Sequence, residues 1–238
     1  MRNEGEVFID SSEVVKFIKQ NRISTTEICD AVGKTGALGF VAPVTFGLHR
    51  VGSVRHIVLE GESNAPLHQE FTKILEGEIV LIQPKRSGIF NVSPIGELMV
   101  KQALLYSGAQ AVVCSGPIRD LSRIRREGYA VWSVGANPIG MTNDPLGSSS
   151  FGDFHKGIAV CDDGGVSLVQ SQVNLSTLCE QLALIEIQED IWSFCLNTLR
   201  WNTFETIVMK RYLTEPEELP ATLRKYLPQL RSGFDKLQ

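Results

Sequence analysis

Ser115-Gly116-Pro117-Ile118-Arg119-Asp120 sets an arginine and an aspartate side by side where the short apolar run Ala111-Val112-Val113-Cys114 turns into a helix-forming segment. At the carboxyl end of a strand in an open α/β sheet, such charges face a crevice. There the two side chains can divide labour: a planar guanidinium meets carboxylate or enolate oxygens in pairs, and a carboxylate holds a hydrated divalent cation. The same pair can also form an ordinary salt bridge, and spacing alone favours that plainer role.

Two further features bear on the choice. Gly96-Glu97-Leu98-Met99 opens the helix that leads into the same apolar run. Its first backbone N–H groups have no partner within the helix and can bind an anion near Arg119. Farther on, Leu178, Leu182, Ile185, Glu189, Trp192 and Leu196 fall at alternating steps of four and three, which places Glu189 inside an apolar helical stripe. A carboxylate there needs a partner: a basic residue of its own fold, a metal, or a neighbouring subunit's pocket.

Other chemistries fail on spacing. Gly33-Lys34-Thr35 resembles the end of a phosphate loop, but the glycine required five positions earlier is Ile28. Gly33, Gly36 and Gly39 follow a helix where a dinucleotide fingerprint needs a strand. The four histidines, at 49, 56, 68 and 155, show no zinc-ligand spacing with a cysteine. Lys101, one turn past Glu97, reads as a solvated side chain, with a Schiff-base amine as the alternative. The net charge of −4, from 23 basic and 27 acidic residues, has the wrong sign for neutralising nucleic-acid phosphates. The cluster of Arg119, Arg123, Arg125 and Arg126 reads as a solvated helix face.

The elements that must position these residues follow from the hydrophobic pattern. In 238 residues there is no repeat and no low-complexity tract, so one body with appended ends is expected. Ser11 and Ser12 can cap a first helix, and Ser24-Thr25-Thr26-Glu27 is a capping box for a second, which Gly33 ends. Residues 51–59 read as a strand, 64–75 as a helix and 79–82 as a strand. A second unit repeats the rhythm: a helix from Gly96 to Gly108 with Val100, Ala103, Leu104 and Ser107 on one face, then the strand 111–114. A strand at 129–134, a loop over 137–153, a hairpin turning at Asp162-Asp163-Gly164-Gly165 and a long helix from about 174 towards 200 complete the pattern, with a peripheral tail beyond Glu215. Alternation of this kind means an α/β sandwich. No apolar run approaches the ~20 residues of a membrane helix, and the acidic start is unlike a signal peptide. Five cysteines without C-x-x-C spacing suit a reducing cytoplasm.

Ser24-Thr25-Thr26 with Cys29-Asp30-Ala31-Val32-Gly33, then Arg50-Val51-Gly52, Glu76-Gly77-Glu78-Ile79-Val80-Leu81-Ile82, Gly96-Glu97-Leu98, Gly116-Pro117-Ile118-Arg119-Asp120 and Cys161-Asp162-Asp163-Gly164-Gly165-Val166 occur in an order that resembles the RraA-like family. That family holds the class II 4-hydroxy-4-methyl-2-oxoglutarate/4-carboxy-4-hydroxy-2-oxoadipate aldolases and the regulator of ribonuclease E activity. The resemblance covers residues 24–205, leaving 1–23 as an N-terminal helical extension and 206–238 as a C-terminal one.

The resemblance implies a three-layer β/β/α swivelling domain and a metal-dependent lyase that releases pyruvate from a small anionic 2-oxo acid, with oxaloacetate decarboxylation as a companion activity. By the same resemblance Arg119 binds the pyruvyl unit and stabilises its enolate, Asp120 holds Mg²⁺ or Mn²⁺ largely through waters, and Glu97 orients those waters. The N–H groups of Leu98 and Met99 receive the substrate carboxylate, and Glu189 is donated by the adjacent subunit of a homotrimer or a dimer of trimers. A metal and an arginine aimed at an enolate oxygen stabilise its charge, so no Schiff-base lysine is required. The other activity the family offers is that of a non-catalytic regulator bound to a ribonuclease or helicase. The chain departs from the family pattern in four places. Ser115 stands where an aspartate is usual, and the interval from Glu97 to Arg119 is one residue longer than in the aldolases. The acid expected just after Asp120 is missing, and the loop over 137–155 is shorter.

Overall fold

Capping chemistry starts the first two helices. Asp10 precedes α1 (Ser11–Asn21), and its Oδ1 accepts the N–H groups of Ser12 and Glu13 at 2.7 and 2.9 Å, while Glu13 reaches back to the Asp10 N–H at 3.4 Å. The cap thus lies ahead of both Ser11 and Ser12, because a carboxylate there satisfies two free donors at once. Ser24 and Glu27 form the expected box at α2 (Thr25–Ala31), with bonds of 3.2 and 2.7 Å. The computed structural model describes residues 10–85 and 92–236, with side chains up to 232. The acid-rich start, on which the absence of a signal peptide was read, lies mostly outside the described residues.

Among the described residues eight strands follow: β1 (Ala42–Pro43), β2 (Arg50–Glu60), β3 (Ile79–Pro84), β4 (Ala111–Cys114), β5 (Val131–Ser133), β6 (Ser148–Phe151), β7 (Ile158–Asp162) and β8 (Gly165–Val169). They hydrogen-bond in the order β1-β5-β4-β3-β2-β7-β8, with β6 also on β2. Strands β2 to β5 are parallel, in register Val54↔Ile79, Ile79↔Ala111 and Val112↔Val131. Crossovers carry α3 (Ala65–Phe71), α4 (Glu97–Lys101), which widens into a π turn over Gln102–Tyr106, and α5 (Leu121–Arg126). α3 stops at Phe71, short of the expected Leu75.

Period-two alternation sorts the parallel strands' side chains into two cores. Ile57, Val80, Ile82, Val112, Cys114 and Val131 pack with Leu67, Phe71, Val100, Ala103 and Ile124 of the helices. Val54, Ile79, Leu81, Val113 and Trp132 point the other way, against Ala159, Cys161, Val166 and Leu168 of the β7–β8 hairpin. The result is the three-layer β/β/α arrangement. The segment before β1 pairs with the free edge of β8, Leu38 N–H to Val166 C=O at 2.9 Å and Leu168 N–H to Gly36 C=O at 2.8 Å, and β1 then joins β5, so the sheet nearly closes on itself. Burial pushes the Cys114 thiol up to about 12, as suits a packed, inert cysteine.

One strand lies in the expected loop. β7 covers only residues 50–53 of the eleven-residue β2, leaving the same edge open farther along. Ser148-Ser149-Ser150-Phe151 takes it up, paired with residues 57–60. A free sheet edge, rather than local propensity, makes that strand.

The residues up to Leu175 and those from Ser176 form two compact units. The second contains most of α6 (Leu175–Asn197), a π turn at Phe204–Val208, α7 (Arg211–Thr214), a 3₁₀ turn at Pro216–Glu218, α8 (Ala221–Arg224) and α9 (Leu227–Lys236). Its core joins Ile191, Cys195, Trp201 and Tyr212 to Leu219, Leu227 and Leu230, so the tail beyond Glu215 supplies core residues instead of lying wholly at the periphery. The continuous stripe expected along α6 is absent. At about 100° per residue, the buried pair Leu178 and Leu182 and the buried pair Ile191 and Cys195 lie on different sides of the helix. Glu189 follows the line of the first pair past the point where that side is buried, and is exposed. Among the described residues, no helix is long and apolar enough to cross a membrane.

Candidate active site at the carboxyl ends of the parallel strands

The loops that leave β3, β4 and β5 are zipped together beyond the strands. Ile118 bridges Ile95 on one side and Ala136 on the other. Arg119 donates its N–H to Ile95 C=O at 3.1 Å, and Asn137 donates to Ile118 C=O at 3.0 Å. Ser93 binds the third loop through its N–H to Ile139 C=O (2.7 Å) and its hydroxyl to Asn137 C=O (2.7 Å). Beneath them the buried Asn64 amide donates to Pro94 C=O at 2.9 Å. The described parts of three loops that sequence alone leaves independent therefore form one short, stiff extension of the sheet.

Asp120 heads α5 with φ +61° and ψ +29°, a left-handed conformation that aspartate tolerates better than most residues. From there it makes no capping bond to its own helix. Its Oδ2 instead accepts the N–H of Glu97, the first residue of α4, at 3.2 Å. The first bond within α4 is Val100 N–H to Gly96 C=O, so the Leu98 and Met99 N–H groups precede the intrahelical ladder, beside Asp120. Glu97 and Met99 are buried, whereas the Leu98 side chain is exposed.

The Arg119 side chain is half exposed, with Nε 3.7 Å from Asp120 Oδ2. That is an ion pair without a hydrogen bond, so the donors of the guanidinium fork are not spent on Asp120. Five of the six residues singled out from sequence, Glu97, Leu98, Met99, Arg119 and Asp120, come together in this way. Glu189 belongs to the second unit.

The donor set can be tested for the divalent cation that the resemblance implies. Mg²⁺ and Mn²⁺ accept one or two carboxylates and keep much of their water. Asp120, with one oxygen anchored by Glu97 N–H and a side chain 40% exposed, suits that mode, with Glu97 the neighbouring acid. Among the described residues, no group of three His, Cys, Asp or Glu is placed to hold a metal with protein ligands alone. Ser115 continues the line of β4, its N–H on Ile82 C=O at 2.9 Å and its hydroxyl directed at the same oxygen at 3.4 Å.

Sequence reasoning missed Ser93 and Gly140, which bridge one another across the strand ends, and read Asn64 only as a helix opener. Their roles depend on which loop faces which across the strand ends, and no local pattern reports that.

A parallel sheet with helices on one face and a β-hairpin layer on the other, its strand-end loops gathering an arginine, an aspartate and a helix start, defines a swivelling α/β domain. Residues 25–174 match the RraA-like family, described as Aldolase/RraA, and the chain belongs to it. Among solved structures it is similar to RraAS2 of Streptomyces coelicolor, an unusual member of the RNase ES inhibitor RraA family, at 19% identity and TM-score 0.61 over 76% of this chain and 94% of that one. A protein from Pseudomonas syringae pv. tomato matches at 17% and 0.60 over 79% and 94%. The RNA-processing inhibitor RraA from Thermus thermophilis matches at 18% and 0.51 over 61% and 91%. At these identities the likeness is one of fold. The family includes both aldolases and ribonuclease E inhibitors.

Proposed function

We propose that the chain is a divalent-metal-dependent pyruvate aldolase acting on a small anionic 4-hydroxy-2-oxo acid, with oxaloacetate decarboxylation open to the same site. One observation supports this most: Arg119, Asp120 and the start of α4 converge at one strand end with the guanidinium fork uncommitted.

In retro-aldol cleavage the 4-hydroxyl gives its proton to a water or carboxylate base as a carbonyl forms, the C3–C4 bond breaks with its electron pair kept on the three-carbon half as a pyruvate enolate, and C3 of the enolate then takes a proton from water to give pyruvate. Loss of CO₂ from oxaloacetate leaves the same enolate. Arg119 would face the carboxylate and the enolate oxygen, where charge grows in the transition state. The N–H groups of Leu98 and Met99 would receive the carboxylate, and Asp120 with Glu97 would hold Mg²⁺ or Mn²⁺ through water. A bound divalent cation supplies Lewis-acid polarisation of the 2-oxo group. Glu189 of a neighbouring copy, in a homotrimer or a dimer of trimers, would complete the site.

The test is pyruvate release from a panel of 4-hydroxy-2-oxo acids and oxaloacetate, with Mg²⁺, with Mn²⁺ and with a chelator. Metal-dependent turnover of any one is expected. No turnover across the panel, together with binding to a ribonuclease or helicase, would favour the regulator reading, which the names of two fold neighbours support.

A further inference from the structure

Arg119 is held by shape. Among the described residues its side chain makes no hydrogen bond, and its only ion pair there is the 3.7 Å approach of Nε to Asp120. What flanks it is bare backbone from two loops. A Cβ added to Gly96 would stand 2.8 Å from Arg119 Cγ and Nε and 2.6 Å from Asp120 Oδ2. A Cβ added to Gly140 would stand 2.6 Å from Arg119 Nη1 and 3.4 Å from Cζ, and its three nearest neighbours are all atoms of Arg119. Neither glycine is required by its backbone angles: Gly96 is extended at φ −138°, and Gly140 lies outside the left-handed region. What each position needs is empty space.

We propose that Gly140 is a positioning residue for Arg119, its missing side chain forming one wall of a slot that aims the guanidinium fork at the crevice. This rests on the aldolase reading for its consequence in turnover, though not for the slot itself. The two glycines differ usefully. A methyl at Gly96 strikes Asp120 as well, whereas a methyl at Gly140 meets only the far end of a flexible side chain. Gly140→Ala should therefore leave the fold intact and tip the guanidinium away from its resting place. A displacement of about 1 Å at a group that must meet developing charge can cost on the order of 10²-fold in rate.

Gly140→Ala in the full chain is expected to melt within a few degrees of wild type while the Nε–Hε resonance of Arg119, assigned by its loss in Arg119→Lys, shifts. On the substrate identified by the pyruvate assay, kcat/KM should fall by on the order of 10²-fold, mostly in kcat, and Gly140→Ala should add nothing in the Arg119→Lys background. An unmoved Arg119 resonance, or a loss that simply adds to that of Arg119→Lys, would overturn the proposal. If Gly140→Ala melts early, restoration of the melting point in the double variant with Arg119→Lys still supports the slot, and no restoration overturns it. Absence of turnover in the wild type would sink the aldolase reading alone, since the resonance tests the slot without it.

Discussion

In the proposed reaction Arg119 would meet a carboxylate and an enolate together, and only a planar fork can do both. Arg119→Lys is expected to keep the fold and to lower kcat/KM by about 10²–10³-fold, the usual cost of removing an oriented donor from developing charge. A melting curve beside steady-state kinetics checks it, and near wild-type activity would return Arg119 to an ordinary salt bridge. His56, on β2, carries a different prediction. Its Nδ1 accepts the Phe154 N–H at 3.2 Å, so the proton sits on Nε2, which donates to Gln83 Oε1 at 2.8 Å. Burial, the largest cause, holds its pKa below the ordinary 6.5. Between the depressed value and 6.5 the unfolded chain binds more protons than the native one, so stability rises with pH there. This contribution is complete above about 6.5 and is lost as pH falls through the folded-state value. His155, also lowered chiefly by burial, acts in the same sense. Melting temperatures measured from about pH 7.5 to about pH 5.5 should drop, and the slope should shrink in His56→Gln. An unchanged slope in that variant would remove His56 from the account.

At the scale of elements, the residues most legible in the sequence were those whose partners are near in the chain. Ser24 and Glu27 are three apart, the Asp162-Asp163-Gly164-Gly165 turn joins its own strands, and Arg119-Asp120 follows its own strand directly. What stayed hidden depends on distant neighbours. β6 exists because β2 outruns β7, the sides of α6 change along its length, and Gly140 matters only because Arg119 comes from another loop. Asp162 shows the same limit. Its turn role was evident, but its carboxylate also accepts Thr25 N–H at 2.8 Å and Thr25 Oγ1 at 2.7 Å, besides Gly164 N–H at 2.8 Å, which ties α2 to the hairpin. Asp162→Ala is therefore expected to cost about 2–3 kcal/mol, as for hydrogen bonds to a charged group. Ser24→Ala, which removes one capping hydroxyl, should cost only about 1 kcal/mol. Urea titration of both variants orders them, and equal losses would mean that the hairpin tie contributes nothing.

For the whole molecule, the question is whether one chain contains a complete site. Glu97, Arg119 and Asp120 share the first unit, while Glu189 sits on the exposed side of α6 in the second. In the proposed cyclic assembly, contacts would be heterologous, so one face would present Arg119 and Asp120 and a different face of the neighbour would present Glu189. That geometry has a consequence no single-chain site shares. Arg119→Ala and Glu189→Ala should each be nearly inactive alone. Once their subunits are mixed and exchanged, some boundaries pair an intact Arg119 with an intact Glu189, and partial activity should return. The readout is pyruvate release before and after exchange, with exchange itself followed by mass spectrometry of differently labelled subunits. No recovery despite proven mixing, or full activity at a solution mass of 26.3 kDa, would show that Glu189 serves its own chain.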